Sequence, residues 1–416
     1  MKKYTLIFCF IVWGICGQEK EINKSYVESK LSNFTVKNNK IEGEGKKMIL
    51  KMIKESQFIV FGESHYSKQT SILTKALIPL LAKSNYTEFV AEVGPNSAQK
   101  LEELSKEAEL TVEKLRDFNT KYKKVALGES ADPIPFFAGV EDAKFLSEIR
   151  KHNMKIHGID QEYYYSVLFF LDELVQLKKN ENNYNKIVSL KEKANKKIFD
   201  YLMARKEEKI KNALGEILKD DDVITFFNQF TSNDVEAMKI IEDLKLSWDI
   251  YIRWRQDSHV DRISYMRNNL YEIFNKNRKA KMFIKLGSLH ASKIISNGAY
   301  DIGNYTEELA EKNNTVSSSI NSWRPFVRDG EIMNDNLKKY KKFYGRLSLF
   351  TQFAKKNEWT IINLKEIRED VKSGRIKLPE NGDLHSLKKV IEGYDYQLIL
   401  PVDESIMYNF NQKNEK

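Results

Sequence analysis

The chain has 416 residues, a formal net charge of +9 and a mean hydropathy of −0.53, which together predict a soluble globular protein. Its basic residues alternate with acidic ones along the whole sequence, so no clustered basic face predicts nucleic-acid binding. The two cysteines are Cys9 and Cys16, which excludes disulfides, cysteine nucleophiles and thiolate metal sites from the rest of the chain.

The first 17 residues have the order of a signal peptide. Two lysines are followed by an apolar stretch over residues 6–15 and by the small residues Cys16 and Gly17. The apolar stretch is shorter than the ~20 residues that a membrane-spanning helix needs. We predict cleavage after Gly17 and export to the periplasm or envelope of a bacterium, without a stable membrane span. A lipoprotein anchored through Cys16 is the weaker alternative.

Helical and strand-like patterns alternate after this segment. Residues 18–45 are polar and predict a loose N-terminal lead-in. The elements predicted next are a helix over 46–55, a strand over 57–62, a helix over 70–83, a strand over 88–92, a helical stretch over 97–124 broken near Leu110, a helix over 144–152 and a strand over 154–158. Such alternation is typical of a parallel sheet covered by helices.

The pattern changes in the middle of the chain. Residues 166–277 show helical periodicity and contain neither a convincing strand nor a proline. Strand character returns over 281–287, 315–320, 359–363 and 394–400. We therefore predict an α/β fold with a mainly parallel central sheet flanked by helices. Its core segments, 46–165 and 278–416, are separated by a large all-helical insertion over 166–277.

A Gly-Glu-Ser-His step follows the first strand of the core. Glu63 and His65 are two positions apart, so an extended backbone places both side chains on the same side. Strand ends of this kind hold the ligand sites of open α/β sheets. An imidazole there can act as a general base near neutral pH, and Gly62 permits a close backbone approach. A loop histidine beside a surface acid is the alternative interpretation.

Ionisable residues also follow three other predicted strands. They are Glu92, Asp160 and His290. Because neighbouring strands lie ~4.8 Å apart, side chains from adjacent strand ends can meet. We predict that Glu63, His65, Glu92 and His290 lie in one cleft. Capping of the next helix is the alternative role for the two acids.

The helix before the His290 strand carries a regular polar face. Arg255, His259, Arg262, Met266 and Asn269 are spaced by three or four residues. If this face turns toward the site, Arg262 can stabilise a developing negative charge. A solvent-exposed face is the alternative.

The other histidines and the tyrosine run carry weaker signals. We expect His157 to be packed within its strand, His152 and His385 to lie at the surface, and residues 163–165 to form core and rim packing. The sequence has no Gly-x-Ser-x-Gly elbow, P-loop, His-Glu-x-x-His or Gly-x-Gly-x-x-Gly motif.

Taken in order over about residues 57–320, these motifs resemble the erythromycin esterase-like family. The matching positions are Gly62-Glu63-Ser64-His65, Glu92, Gly158-Ile159-Asp160-Gln161, Arg262 with Met266 and Asn269, and Gly287-Ser288-Leu289-His290. The Glu-Ser-His spacing is one residue shorter than in that family and looks like ChaN-like and Tiki-type proteins. The resemblance implies a sheet core and a helical subdomain with a cleft between them, and implies His65 as the base that activates water.

The function predicted from these residues is hydrolysis of an ester or a related bond in a small-molecule substrate. His65 would take a proton from water, while Glu63 and Glu92 hold the imidazole and the water. His290 would stabilise or protonate the leaving group, and Arg262 would assist the developing charge. The residues predicted to bind substrate are Asp160, Gln161, His259 and Asn269.

Two other functions stay open. The first is a metal-dependent hydrolase or peptidase of the Tiki type, with a divalent Zn, Mn or Fe ion among Glu63, His65, Glu92 and His290. The second is a non-catalytic haem- or metal-binding envelope protein of the ChaN type. The substrate and the oligomeric state do not follow from the sequence.

Overall fold

The computed structural model describes residues 20–253, 258–295, 297–379 and 384–411. The predicted signal peptide over residues 1–17, its Cys16 alternative and Arg255 lie outside these ranges. Within them, no helix combines the length and the apolar character needed to cross a membrane.

The strands of the described ranges belong to three sheets, of which one, with nine strands, dominates. In chain order the strands are β1 Lys20–Glu21, β2 Leu31–Lys37, β3 Lys40–Glu42, β4 Phe58–Glu63, β5 Tyr86–Ala91, β6 Lys155–Gly158, β7 Lys281–Gly287, β8 Ser317–Trp323, β9 Phe326–Asp329, β10 Ile332–Asp335, β11 Trp359–Asn363, β12 Ile376–Lys377, β13 Tyr396–Ile399 and β14 Asp403–Glu404.

Helices connect and cover these strands. They are α1 Lys24–Glu28, α2 Gly45–Glu55, α3 Lys68–Lys83, α4 Pro95–Leu104, α5 Thr111–Tyr122, α6 Val140–Lys151, α7 Val167–Leu177, α8 Tyr184–Lys206, α9 Ala213–Ile217, α10 Asp221–Phe227, α11 Val235–Ile252, α12 Ser258–Lys276, α13 Ile302–Lys312, α14 Asn336–Lys339, α15 Lys341–Gly345, α16 Ser348–Thr351, α17 Leu364–Lys372 and α18 Leu384–Gly393. Short 3₁₀ turns occur at Ala108–Leu110, Val125–Leu127 and Ser288–Ala291.

The large sheet is mostly parallel. Its strand order is β3-β2-β11-β13-β8-β4-β7-β5-β6, and every pairing from β13 to β6 is parallel. The three pairings at the other side, which join β3, β2, β11 and β13, are antiparallel. Helices α7 to α12 are inserted between β6 and β7. The structure thus confirms the predicted α/β fold with a helical insertion.

Both faces of the central strands are buried, as expected for parallel strands with helices on each side. Along β4, Ile59 and Phe61 belong to the apolar cluster that continues into helices α7 to α11. The alternate residues Phe58 and Val60 belong to a second cluster on the opposite face, which includes Met266 of α12. Because successive side chains of a strand point to opposite faces, one strand supplies both cores.

The expectation of a loose structure over residues 18–45 is wrong. Within the described part of this stretch, β2 pairs with β11 and β3 pairs with β2, so both strands extend the large sheet. Phe34 of β2 is buried and stacks on Trp359 with ring centroids 5.7 Å apart. The stretch looks polar because the other β2 side chains, at the margin of the sheet, stay partly exposed.

Candidate functional site

Parallel strands bring the predicted residues to one edge of the sheet. Strand register places Glu63 of β4 beside Gly287 of β7, and Ala91 of β5 beside Lys285 of β7. Glu92 directly follows Ala91. The strand ends therefore meet, and their ionisable side chains form a connected cluster.

The first contact in this cluster joins the imidazole of His65 to Glu63. The Nδ1 atom of His65 lies 3.2 Å from Oε1 of Glu63, as the two-residue spacing predicts. The other Glu63 oxygen pairs with the buried Lys285 ammonium. Burial raises the pKa of Glu63, but the charges of Lys285 and His65 outweigh it and lower the pKa below its usual value. Glu63 is therefore a carboxylate at neutral pH.

The second nitrogen of His65 is not held by the protein. Its Nε2 lies 3.9 Å from Oε2 of Glu92, beyond hydrogen-bond distance, and makes no hydrogen bond to the described residues. The side chain is 35% exposed. Burial lowers the pKa of His65, yet the hydrogen bond to Glu63 and the charge of Glu92 together leave it raised above 6.5. This ring nitrogen is therefore open to a ligand or a water molecule.

Glu92 is the centre of the cluster. Its Oε2 accepts the backbone N–H of Gly287 at 2.6 Å, while its Oε1 lies 2.9 Å from Nη2 of Arg262 and 3.3 Å from Nε2 of His290. Burial raises the pKa of Glu92, but the positive charges of His290, His65 and Arg262 hold it well below its usual range. Glu92 is thus a buried, ionised acid surrounded by donors.

His290 differs from His65 in that both of its nitrogens face carboxylates. Its Nδ1 lies 2.8 Å from Asp301, and its Nε2 faces Glu92. Burial lowers the pKa of His290, but the charge of Glu92 and the hydrogen bond to Asp301 outweigh it and raise the pKa to about 10. His290 is therefore an imidazolium at neutral pH.

Arg262 joins the cluster from α12. Its Nε donates to Oδ1 of Asp160 at 2.8 Å, and its Nη2 bridges Asp160 and Glu92. Its Nη1 makes no hydrogen bond to the described residues. Arg262 thus keeps one donor free beside the two carboxylates it pairs with.

The remaining predicted site residues lie around this cluster with different partners. Asn269 donates to the carbonyl oxygen of Ile159 at 3.0 Å, so it supports the loop after β6. The ring of His259 lies 6.5 Å from that of His290, and its Nε2 has no hydrogen-bond partner in the described ranges. The side-chain oxygen of buried Gln161 also has none. Their predicted role in substrate binding stays a prediction.

An aromatic ring covers the exposed side of His65. Phe136 stacks on the imidazole with ring centroids 4.1 Å apart and an interplanar angle of 15°. Phe136 has φ +64° and Tyr66 has φ +58°, a conformation that bulky residues rarely adopt. Backbone strain of this kind concentrates at functional sites, where the surrounding structure maintains it.

A segment near the C-terminus holds the loop that follows His65. We call this segment, residues 403–409, the strap. The backbone N–H of Ile406 donates to the carbonyl oxygen of Tyr66 at 3.1 Å, and Ser405 forms a bridge with Ser67. Further along, Asn409 donates to the carbonyl oxygen of Ala138 at 2.7 Å. The strap therefore fixes both the loop after His65 and the one that carries Phe136.

Two glycines allow the strand ends to approach this closely. A Cβ atom at position 287 would lie 2.8 Å from Nε2 of His65. A Cβ at position 62 would lie 2.7 Å from the carbonyl oxygen of Ile320. The close backbone approach expected at Gly62 is thus observed, and Gly287 serves the same purpose.

Structural comparison places this architecture among known folds. Erythromycin esterase EreC, a mutant in its open conformation, superimposes with a TM-score of 0.53 and 11% identity, over 90% of this chain and 98% of its own. The chain has the erythromycin esterase fold. A Bacillus cereus protein (TM-score 0.50, 92% and 98% covered) and a succinoglycan biosynthesis protein (0.51, 92% and 96%) are also similar, each at 11% identity. Neither the protein-family models nor the curated proteins contain a match.

In this erythromycin esterase fold, sequence reasoning missed three residues of the cluster. Lys285 gave a signal, because a lysine inside an apolar parallel strand must find an acid. Asp301 has the sequence context of an ordinary helix N-cap, which gave no reason to assign it to the site. It does cap α13, because its side chain accepts the backbone N–H of Ile302. No sequence pattern marks Phe136 as the ring that stacks on His65.

The three histidines that were not predicted to belong to the site have no contact with the cluster among the described residues. His157 pairs with Glu88 at 2.6 Å within the β5–β6 pair, as expected of a packed strand residue. His385 is exposed and His152 is partly exposed. The tyrosines 163–165 pack against one another in tilted and edge-on arrangements, with ring centroids 4.4–5.4 Å apart.

The donor set does not match a preformed metal centre. Among the described residues, no group of three or more His, Asp or Glu side chains is arranged to hold a metal ion. Lys285 occupies one oxygen of Glu63, and Arg262 occupies one oxygen of Glu92. A metal ion at these carboxylates would compete with both cations.

Proposed function

We propose that this protein is a hydrolase that cleaves an ester of a small molecule, with His65 as the base that activates water. The observation that supports this most strongly is the asymmetry of the His65 ring. Glu63 holds Nδ1, while Nε2 makes no hydrogen bond to the described residues. A carboxylate that fixes one imidazole nitrogen and leaves the other free to exchange a proton is the arrangement found in hydrolytic triads.

The reaction conserves its atoms and protons. Nε2 of neutral His65 removes a proton from water, and the oxygen of that water adds to the ester carbonyl. The tetrahedral intermediate expels the alkoxide, which takes the proton back from Nε2. The products are a carboxylic acid and an alcohol, and His65 returns to its neutral state.

Neighbouring charges support the two charged stages of this reaction. Glu63 stabilises the imidazolium that forms on His65. The free Nη1 of Arg262 supplies a donor for the developing oxyanion. Glu92 lies between these groups, 3.9 Å from Nε2 of His65, where it can accept a hydrogen bond from the attacking water. His290 supplies the positive charge that keeps Glu92 ionised.

The name of EreC describes the substrate of that protein, and 11% identity does not carry it to this chain. The test is therefore a panel of aryl esters, alkyl esters and lactones, with erythromycin among them, and peptides as a second class. We expect the protein to hydrolyse at least one of these esters, at a rate that EDTA does not change. Loss of turnover in EDTA with recovery on adding Zn²⁺ or Mn²⁺ would favour the metal-dependent alternative. Binding of haem without turnover would favour the non-catalytic one.

The predicted export of the chain belongs to the same proposal. A hydrolase of the periplasm or envelope would meet small molecules before they reach the cytoplasm. N-terminal sequencing of the exported protein should find Gln18 as its first residue. An intact Met1, or a lipid on Cys16, would contradict this start.

A further inference from the structure

A cavity separate from the candidate site lies in the helical insertion. Its volume is about 350 Å³, and it lies between the end of α8, the start of α9 and the end of α11. Three of its lining residues are cations, namely Arg205, Lys211 and Arg253. Among the described residues that line it, none is an aspartate or a glutamate. The described lining of the cavity therefore carries cationic side chains and no acidic ones.

Arg205 carries a charge that no acidic side chain in the described ranges neutralises. Its guanidinium lies over the ring of Tyr164, 4.5 Å from the centroid. It forms no ion pair or hydrogen bond with the described residues, and its Nη1 atom is buried. The carbonyl end of α8 offers only about half an elementary charge. A partly buried cation without a counter-charge costs free energy that a bound anion would recover.

Two other arginines offer a comparison with Arg205. Arg253, on the same cavity, pairs with Asp249 and Asp261. Arg267 lies over the ring of Tyr305 at 4.3 Å, in the same manner as Arg205, yet it pairs with Glu308 at 3.2 Å. Stacking on tyrosine therefore does not replace an acidic partner elsewhere in this molecule.

We infer that this cavity, the Arg205 cavity, binds a phosphate or carboxylate group of a small molecule. A guanidinium presents parallel N–H donors that match the oxygens of either group, and Tyr164 holds its plane in place. Lys211 adds a second charge without an ion pair to the described residues. The volume suits a small organic anion. This inference does not depend on the proposed hydrolysis.

Calorimetric titration of the purified chain tests the inference. Inorganic phosphate and citrate are titrated separately at an ionic strength held constant with sodium chloride. We expect one equivalent of at least one anion to bind to the wild-type protein. Binding of phosphate alone assigns a phosphoryl ligand, binding of citrate alone assigns a carboxylate ligand, and binding of both supports the shared chemistry.

Two matched variants locate the binding. Arg205→Gln should weaken it at least tenfold, whereas Arg267→Gln, which removes the stacked but paired guanidinium, should leave it unchanged. If Arg205→Gln does not fold, Lys211→Gln replaces an exposed side chain and should weaken binding at least threefold. The inference is overturned if neither anion binds to the wild-type protein. It is also overturned if the folded Arg205→Gln variant, or in its place Lys211→Gln, binds as tightly as the wild type.

Discussion

The ends of β4 and β7 each present a histidine to the same edge of the sheet, with opposite consequences. His65, after β4, is 35% exposed and has one nitrogen held by a carboxylate. His290, after β7, is 9% exposed and has carboxylates at both nitrogens. The first can exchange a proton with a ligand, while the second is fixed as a cation with a pKa of about 10.

The difference teaches that residue type and strand position do not assign a chemical role. What separates the two imidazoles is the number of carboxylates around each ring and the access of solvent to the second nitrogen. The pKa of both histidines is raised by acids, and that of His290 reaches about 10, so its ring stays charged across the whole neutral range.

The largest effect should come from removing the open imidazole. His65→Ala should lower kcat by ~10²–10⁴-fold, because it removes a positioned base. Steady-state kinetics on the best ester of the panel measures this. His157→Ala is the matched control, since that residue is also partly buried and paired with a glutamate. It should cost some stability but change kcat less than about twofold. Near-full activity of His65→Ala would refute the assignment of the base.

Removing the closed imidazole should act on stability first. His290→Gln leaves Asp301 and Glu92 buried without the cation between them, which should cost about 3–5 kcal/mol in urea unfolding. The folded pKa lies above the unfolded value of 6.5. The stabilisation by His290 is thus complete below pH 6.5 and is lost as pH rises to about 10. If the His290→Gln variant were as stable as the wild type at pH 6, the contacts of His290 with Glu92 and Asp301 would contribute nothing to the free energy of unfolding.

The pH dependence of activity should sharpen the comparison. Since the pKa of His65 is raised, kcat/KM should fall on acidification with a midpoint above pH 6.5. Glu63→Gln removes the first acid that raises this pKa, so the midpoint should move to lower pH. Glu88→Gln, which breaks the His157 pair instead, should leave the midpoint in place. Equal midpoints in all three proteins would exclude His65 as the titrating base.

The smallest effect should come from the ring that covers the open imidazole. Phe136→Ala loses a stacking contact worth ~0.5–1.5 kcal/mol, so kcat/KM should fall about two- to tenfold. Phe136→Gly loses the same contact but tolerates φ +64°, and should be about 1 kcal/mol more stable than the alanine variant. If the two variants unfold at the same urea concentration, the backbone at this position is not strained.

Sequence patterns predicted the interior of the sheet well where strands such as β4 and β7 carry apolar side chains on both faces. The limits of β7 and β11 were predicted without error, and the edge at which Glu63, Glu92 and His290 meet followed from parallel strands. The strands near the sheet margin were missed, since most β2 side chains are partly exposed, as they would be in a polar loop.

The rest of the cluster was missed for a different physical reason. Lys285 pairs with Glu63 through a contact between neighbouring strands, and Asp301 reaches His290 across an intervening turn. Phe136 takes its place from tertiary contacts that impose a positive φ on a bulky residue. Long-range packing decides each of these positions, and local periodicity does not record it.

The strap has a consequence for the order in which the site is made. The loop after His65 is among the early segments to leave the ribosome, yet its hydrogen-bond partner at Ile406 is synthesised about 340 residues later. At ~5–20 residues per second, the loop after His65 waits at least about 17 seconds for the segment that closes it. A nascent chain therefore contains β4, β5 and β6 well before it contains the strap that completes the candidate site.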